Sequence, residues 1–156
     1  MSVGNNTFPE MKAVSGITLG TASAGIKQTE RDDLLVIEMN HGSSCAAVFT
    51  QNAFCAAPVV VARENLEKSP RWLVVNSGNA NAGTGRQGMM DAQNICEDLA
   101  GIVNGHSGQI MPFSTGVIGE PLPVAKIKSA LPSAVNDLST DHWDKAARAI
   151  MTTDTF

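Results

Sequence analysis

"RWLVVNSGNANAGTGRQG", Arg71 to Gly88, decides how the rest of the chain is read. Trp72 to Val75 is a compact apolar run with β-branched residues, which predicts a buried strand. It runs into Asn, Gly, Ser and Ala, a composition that turns a chain rather than extends it. Beyond Gly88, Ala92, Ile95, Cys96, Leu99, Ile102 and Val103 recur at helical spacing. One face of that helix is expected on the sheet, with Asp91, Glu97 and Asp98 toward water. Asn104-Gly105 should stop it. Strand, polar loop and amphipathic helix in succession are consistent with an α/β class.

Upstream, "SGITLGTASAGIK" (Ser15 to Lys27) carries glycines at 16, 20 and 25, which reads as short strands turning sharply. "DDLLVIEMN" (Asp32 to Asn40) has the form of a buried strand. "CAAVFT" (Cys45 to Thr50) and "APVVVAR" (Ala57 to Arg63) repeat that form and predict two more. Downstream, Gly108 to Phe113 is a further strand. Pro121 to Leu138 reads as one broken helix or two short ones, interrupted at Pro132. Thr140 is expected to cap the last helix, "DHWDKAARAIM", with Trp143, Ala146, Ala147 and Ile150 inward. "MTTDTF" then reads as the exit from a helix into another element, so 1–156 is expected to be one domain that is incomplete.

The chain has 156 residues, 43% hydrophobic and 17% charged, which suits a globular core without staples. With five Phe, two Trp and no Tyr, that core relies on small side chains. The net charge of -4 and the lack of a basic stripe exclude a nucleic-acid footprint and favour a small ligand. Cys45, Cys55 and Cys96, with His41, His106 and His142, match no zinc spacing, so no metal is expected and the thiols read as structural. An odd cysteine count, and Met1 to Lys12 without a basic-then-apolar pattern, predict the cytoplasm. No apolar stretch reaches the roughly 20 residues of a membrane span.

Two constellations bear on chemistry. Gly83-Thr84-Gly85-Arg86-Gln87-Gly88 matches G-x-G-x-x-G between a strand and a helix, so a nucleotide-binding module is one alternative. Against it, Ser77 to Ala82 intervene before the first glycine, and no acidic residue waits near Phe113 for a ribose. Ser114-Thr115-Gly116 leaves the next strand with a hydroxyl beside a bare backbone, the pair an oxyanion hole requires. On residue types alone, a strand-end turn that only positions the next helix is the better explanation of this step. No attacking group accompanies it. His41 reads as part of a polar turn, His142 as a partly exposed surface histidine, and Met89-Met90 as core filling. There is no G-x-S-x-G elbow.

Taken together, "TASAGIK" with "RDDL", "AAVFTQNAFCAAPV", "LVVNSGNANAGTGRQG", "STGVIGEPLP" and "MTTDT" resemble, in order and spacing, the amino-terminal portion of the arginine-biosynthesis ornithine acetyltransferases, the bifunctional glutamate N-acetyltransferases. The resemblance runs from about Ser15 to the last residue. It implies a layered α-β-β-α sandwich completed by a β chain, made from one precursor that cuts itself before a threonine. That new terminal threonine is the family's nucleophile and lies beyond Phe156. By resemblance, Thr115 and Gly116 are the oxyanion pair, and Thr152 contacts substrate, with Thr153 the alternative if the register shifts by one. The NSGNANA loop, Asn76 to Ala82, would line or brace the site. The resemblance further implies N-acetylornithine and glutamate as substrates, acetyl-CoA as an optional donor, no bound cofactor, and αβ units pairing into a heterotetramer. A related hydrolase using the same oxyanion step remains a second alternative.

Overall fold

The computed structural model describes residues 10–27 and 31–152. Four strands, β1 (Ile17–Ala22), β2 (Leu34–Met39), β3 (Trp72–Asn79) and β4 (Ile110–Val117), form one sheet in the order β1-β2-β3-β4. β2 pairs antiparallel with both β1 and β3, while β3 and β4 run parallel. Helices α1 (Ala57–Leu66), α2 (Gly85–Ile102), α3 (Val124–Asn136) and α4 (Trp143–Ile150) complete the described chain. The mixed α/β class expected from the sequence is therefore the one observed. Three antiparallel strands do not make a doubly wound sheet.

Residues alternate across the strands, so each face has its own core. Ala22, Leu34, Val36, Trp72, Val74 and Ile110 meet buried residues of α1, α2 and α3 on one face. Leu19, Leu35 and partly buried Ile37 and Val75 meet Ala146, Ala149 and Trp143 of α4 on the other. β2 is apolar on both sides because both are covered, which is why its sequence is a continuous run rather than an alternation. Gly20 lets α3 come close: a Cβ there would lie 2.0 Å from the Ala134 carbonyl oxygen.

Several local expectations are corrected. Ala57 to Arg63 is not a strand but the first turns of α1, with Ala57, Pro58, Val61, Ala62 and Asn65 buried at helical spacing. Pro58 lies in the first turn, where its missing N–H costs nothing, and burial overrides the β preference of Val59 to Val61. Cys45 to Thr50 forms no regular element. β3 extends to Asn79 and β4 to Val117, further than their apolar runs indicate. Pro132 does not break α3; it and Lys128 are exposed, so the helical bond it removes lies on the wet side.

The last helix is capped at His142, not Thr140, and Ala149 replaces Ile150 on its inner face. Asp91 is buried and accepts from Gln87 Nε2 at 2.8 Å, rather than facing water. α2 does stop where expected: Asn104 takes a left-handed φ of 52°, and Gly105 N–H donates to the Ala100 carbonyl at 2.9 Å. Met89 packs partly on the core, whereas Met90 is exposed. Among the described residues no helix is long and apolar enough to cross a membrane, and no metal-holding cluster is found.

Asp137, just past α3, ties three elements together. Its carboxylate accepts from Thr21 N–H at 3.0 Å and from Lys145 Nζ at 3.1 Å, joining α3 to β1 and α4. His142 Nδ1 lies 3.2 Å away, close enough for attraction when protonated but not aligned as a hydrogen bond. Burial pushes the Asp137 carboxyl upward, but the Thr21 N–H, Lys145 and His142 together outweigh it and hold it below its usual 3.8. A depressed folded value means the stabilisation is complete above the unfolded value and is lost as pH falls through the folded one. Asp137→Asn should therefore lower stability at neutral pH by about 0.5–1 kcal/mol, a size set by partial exposure. In urea titrations of the protein containing this chain, the gap between variant and wild type should close below about pH 4. A gap independent of pH would exclude the ionic origin.

Candidate active site

β3 and β4 end side by side because they are parallel, and the carboxyl ends of parallel strands are where α/β sheets open crevices. Their register pairs Asn76 with Ser114, Ser77 with Thr115 and Gly78 with Gly116, and then slips at Asn79. Gly116 has a φ of +134°, and a Cβ there would lie 2.3 Å from the Gly78 carbonyl carbon. Only glycine fits. Gly116 is exposed and Thr115 half-buried, so the sequence-predicted pair sits at an open strand end rather than inside the protein.

The surrounding polar residues are buried and mutually satisfied. Asn76 Nδ2 donates to the Asn79 carbonyl at 2.8 Å, and Asn76 Oδ1 accepts from the Ser114 hydroxyl at 2.6 Å. This fixes β4 one residue before Thr115. Asn79 Nδ2 donates to the carbonyls of Glu120 and Pro121 at 3.2 and 3.1 Å, pinning the chain that leaves β4. Asn79 Oδ1 accepts from Asn81 N–H at 2.8 Å. Asn81, with a φ of 45°, holds the start of α2 through the Gly88 carbonyl at 2.9 Å and the Thr84 hydroxyl at 2.7 Å. A network with every member paired fixes a single arrangement.

These three asparagines brace the ends of β3 and β4, with separate roles that the NSGNANA motif alone does not assign. Their signal in the sequence is Asn at 76, 79 and 81 around a glycine, immediately after a buried strand. Alternation would turn at least one of them toward the core, where an unpaired amide is costly.

Ser77 is fully buried, and its hydroxyl donates to the carbonyl of Ala149 in α4. Ser77 and Thr115 lie on the sheet face that α4 covers, so this bond carries the end of α4 toward Thr115. Thr152, exposed, follows Ala149 by three residues, which limits its Cα to about 11 Å from that of Ala149. Thr153 lies outside the described residues. Among the described residues the Thr115 hydroxyl has no side-chain hydrogen bond, whereas those of Ser114 and Ser77 are engaged.

The other candidates do not join this site. Gly83 packs by Phe54 and Ile118, and Gly88 is where α2 meets Thr84 and Asn81, so these glycines serve close packing. His41 lies exposed in a turn that Ser43 N–H closes on the Asn40 carbonyl at 3.1 Å. Burial, and then Glu97, push the Cys96 thiol up to about 12, which leaves it unreactive.

Comparison with known proteins gives the family. Residues 18–156 match the ArgJ family. The arginine biosynthesis bifunctional protein ArgJ of Methylococcus capsulatus is 66% identical over 142 residues, covering 91% of this chain and 35% of that protein. Its namesake from Pseudomonas syringae pv. tomato is 51% identical over 155 residues, covering 99% and 38%. The chain thus spans little more than a third of the length of these relatives. Among solved structures, ornithine acetyltransferase from Mycobacterium tuberculosis, complexed with ornithine, superposes with a TM-score of 0.85 at 32% identity, covering 91% of this chain and 78% of that one. ArgJ from Bacillus halodurans gives 0.77 at 31% identity, with 91% and 75% covered. By the extent of that match, the chain belongs to the ArgJ family.

Proposed function

We propose that this chain is the α portion of an ornithine acetyltransferase that moves an acetyl group from N-acetylornithine to glutamate in arginine biosynthesis. The observation that carries this reading is the exposed Thr115-Gly116 step, kept free of a side chain at 116 by the close approach of Gly78 and braced by buried asparagines. A β chain, cut from the same precursor, supplies the terminal threonine nucleophile and a second sheet. Paired αβ units form a heterotetramer in the cytoplasm.

The threonine hydroxyl, its proton taken by the threonine's own α-amino group, attacks the acetyl carbonyl of N-acetylornithine. The carbonyl π electrons move to oxygen, and their return expels ornithine's amine, which regains the proton. Glutamate's amine then attacks the acetyl-threonine ester by the same route and frees the hydroxyl. Each tetrahedral oxyanion accepts from the Thr115 hydroxyl and the Gly116 N–H, donors more valuable to the transition state than to the flat ground-state carbonyl. Thr152 holds a polar group of the substrate. No bound cofactor is needed for these steps, and acetyl-CoA serves as a further donor in the bifunctional form.

The test uses the purified protein containing this chain, with acetyl-labelled N-acetylornithine and glutamate. Label should appear in N-acetylglutamate, and a quenched reaction should show a second polypeptide, beginning with Thr, heavier by one acetyl group. Label released only as acetate would favour the hydrolase and overturn the transferase.

A further inference from the structure

Lys27 and Ser77 converge on the C-terminal end of α4 from a different part of the fold. Lys27 Nζ donates to the Ala149 carbonyl at 3.2 Å and also to the Met151 carbonyl. The Ser77 hydroxyl shares the Ala149 carbonyl. An ammonium at a helix C-terminus is favoured by the unpaired carbonyls there. Lys27 is itself fixed at its other end. Fully buried Asp33 accepts from the N–H groups of Ala24 and Ile26 at 2.6 Å and of Lys27 at 3.0 Å.

Between its two ends, the Lys27 side chain crosses Gly78: a Cβ on Gly78 would lie 3.2 Å from Lys27 Cγ and 2.9 Å from Ile26 Cγ2. Gly78 is the strand partner of Gly116. One side chain thus touches the strand beside the oxyanion step and grips the segment that leads into Thr152.

We propose that Lys27 and Ser77 are positioning residues that set the distance between Thr152 and the Thr115-Gly116 pair, and so tune affinity for the acetyl donor. This rests on the transferase reading. Neither residue touches the reacting atoms; both act through the Ala149 and Met151 carbonyls.

The experiment is a double-mutant cycle in the complete enzyme, reading kcat and KM for N-acetylornithine. Lys27→Met should raise KM about tenfold, the scale of a lost charge-assisted hydrogen bond, with kcat changed less than about threefold. Ser77→Ala should act in the same direction by a smaller factor, and Lys27→Arg should recover part of the loss. In a Thr152→Ala background, Lys27→Met should add almost nothing, because the contact it positions is gone. Equal penalties in both backgrounds mean that the clamp is only structural and overturn the proposal. A normal KM in Lys27→Met, or in Thr152→Ala, overturns it too. Hydrogen exchange at residues 148–152 gives a readout free of activity: it should quicken in Lys27→Met, and unchanged exchange counts against the clamp. Failure of the transferase reading would show elsewhere, as absent acetyl transfer in the wild type.

Discussion

Thr115→Ala should lower the rate of acetyl transfer by about 10²–10³, close to 3–4 kcal/mol of transition-state stabilisation, with little change in folding. The hydroxyl is the only polar group lost. Thr115 is half-buried on a paired strand, and among the described residues its hydroxyl holds nothing else in place, so the backbone of β4 should stay where Ser114 and Asn76 fix it. Both half-reactions pass through an oxyanion, so formation and consumption of acetyl-threonine should slow together, with KM little affected. Thr115→Ser keeps the donor and should recover most of the rate, while Thr115→Val keeps the shape and should not. Stopped-flow or quench measurements of the two half-reactions in the complete enzyme decide the matter. A Thr115→Ala enzyme within about threefold of wild type in both would remove the hydroxyl from the oxyanion hole.

The same neighbourhood explains what the sequence revealed and what it concealed. The apolar cores of β2 and β3 and the amphipathic face of α2 were legible because burial imposes a period on the residues that meet the core. The polar ends of β3 and β4 were not. Asn76, Ser77 and Asn79 carry the composition of a loop, yet they continue the strand because Asn76 is held by Ser114 of β4, Ser77 by Ala149 of α4 and Asn79 by the chain that leaves β4. Such partners are distant in sequence, and no local pattern announces them. Ala57 to Arg63 misled for the converse reason, since three valines in a row suit a strand until Pro58 is placed in a helix's first turn and Val61 and Asn65 line up beneath it. Thr115, Gly116 and Thr152 are legible in the sequence only as motif positions; the contact of Lys27 with the end of α4 exists only in three dimensions.

Gly116→Ala should be the most disruptive single substitution at the strand ends, and its effect should differ in kind from that of Thr115→Ala. A φ of +134° is a conformation that residues with a Cβ rarely adopt. The added carbon would also lie 2.6 Å from both Asn79 N and the Gly78 carbonyl oxygen, which are backbone atoms of a neighbouring strand and not a side chain that can swing away. Relief requires β3 and β4 to separate where Asn76, Asn79 and Ser114 hold them together, so strain and broken hydrogen bonds add. The expected loss of stability is on the order of 3 kcal/mol or more, with acetyl transfer reduced below the level of Thr115→Ala because both donors move. Gly119→Ala supplies the control: its φ of +85° is also unfavourable, but nothing lies within 4 Å of the new carbon. That variant should lose only about 1 kcal/mol and retain most of its activity. Thermal or denaturant unfolding of the three variants beside their transfer rates gives the contrast. Thr115→Ala should be stable and slow, Gly119→Ala slightly unstable and active, and Gly116→Ala both unstable and inactive. A Gly116→Ala enzyme as stable as wild type would mean that the two strands do not meet as closely at Gly78 as the geometry requires.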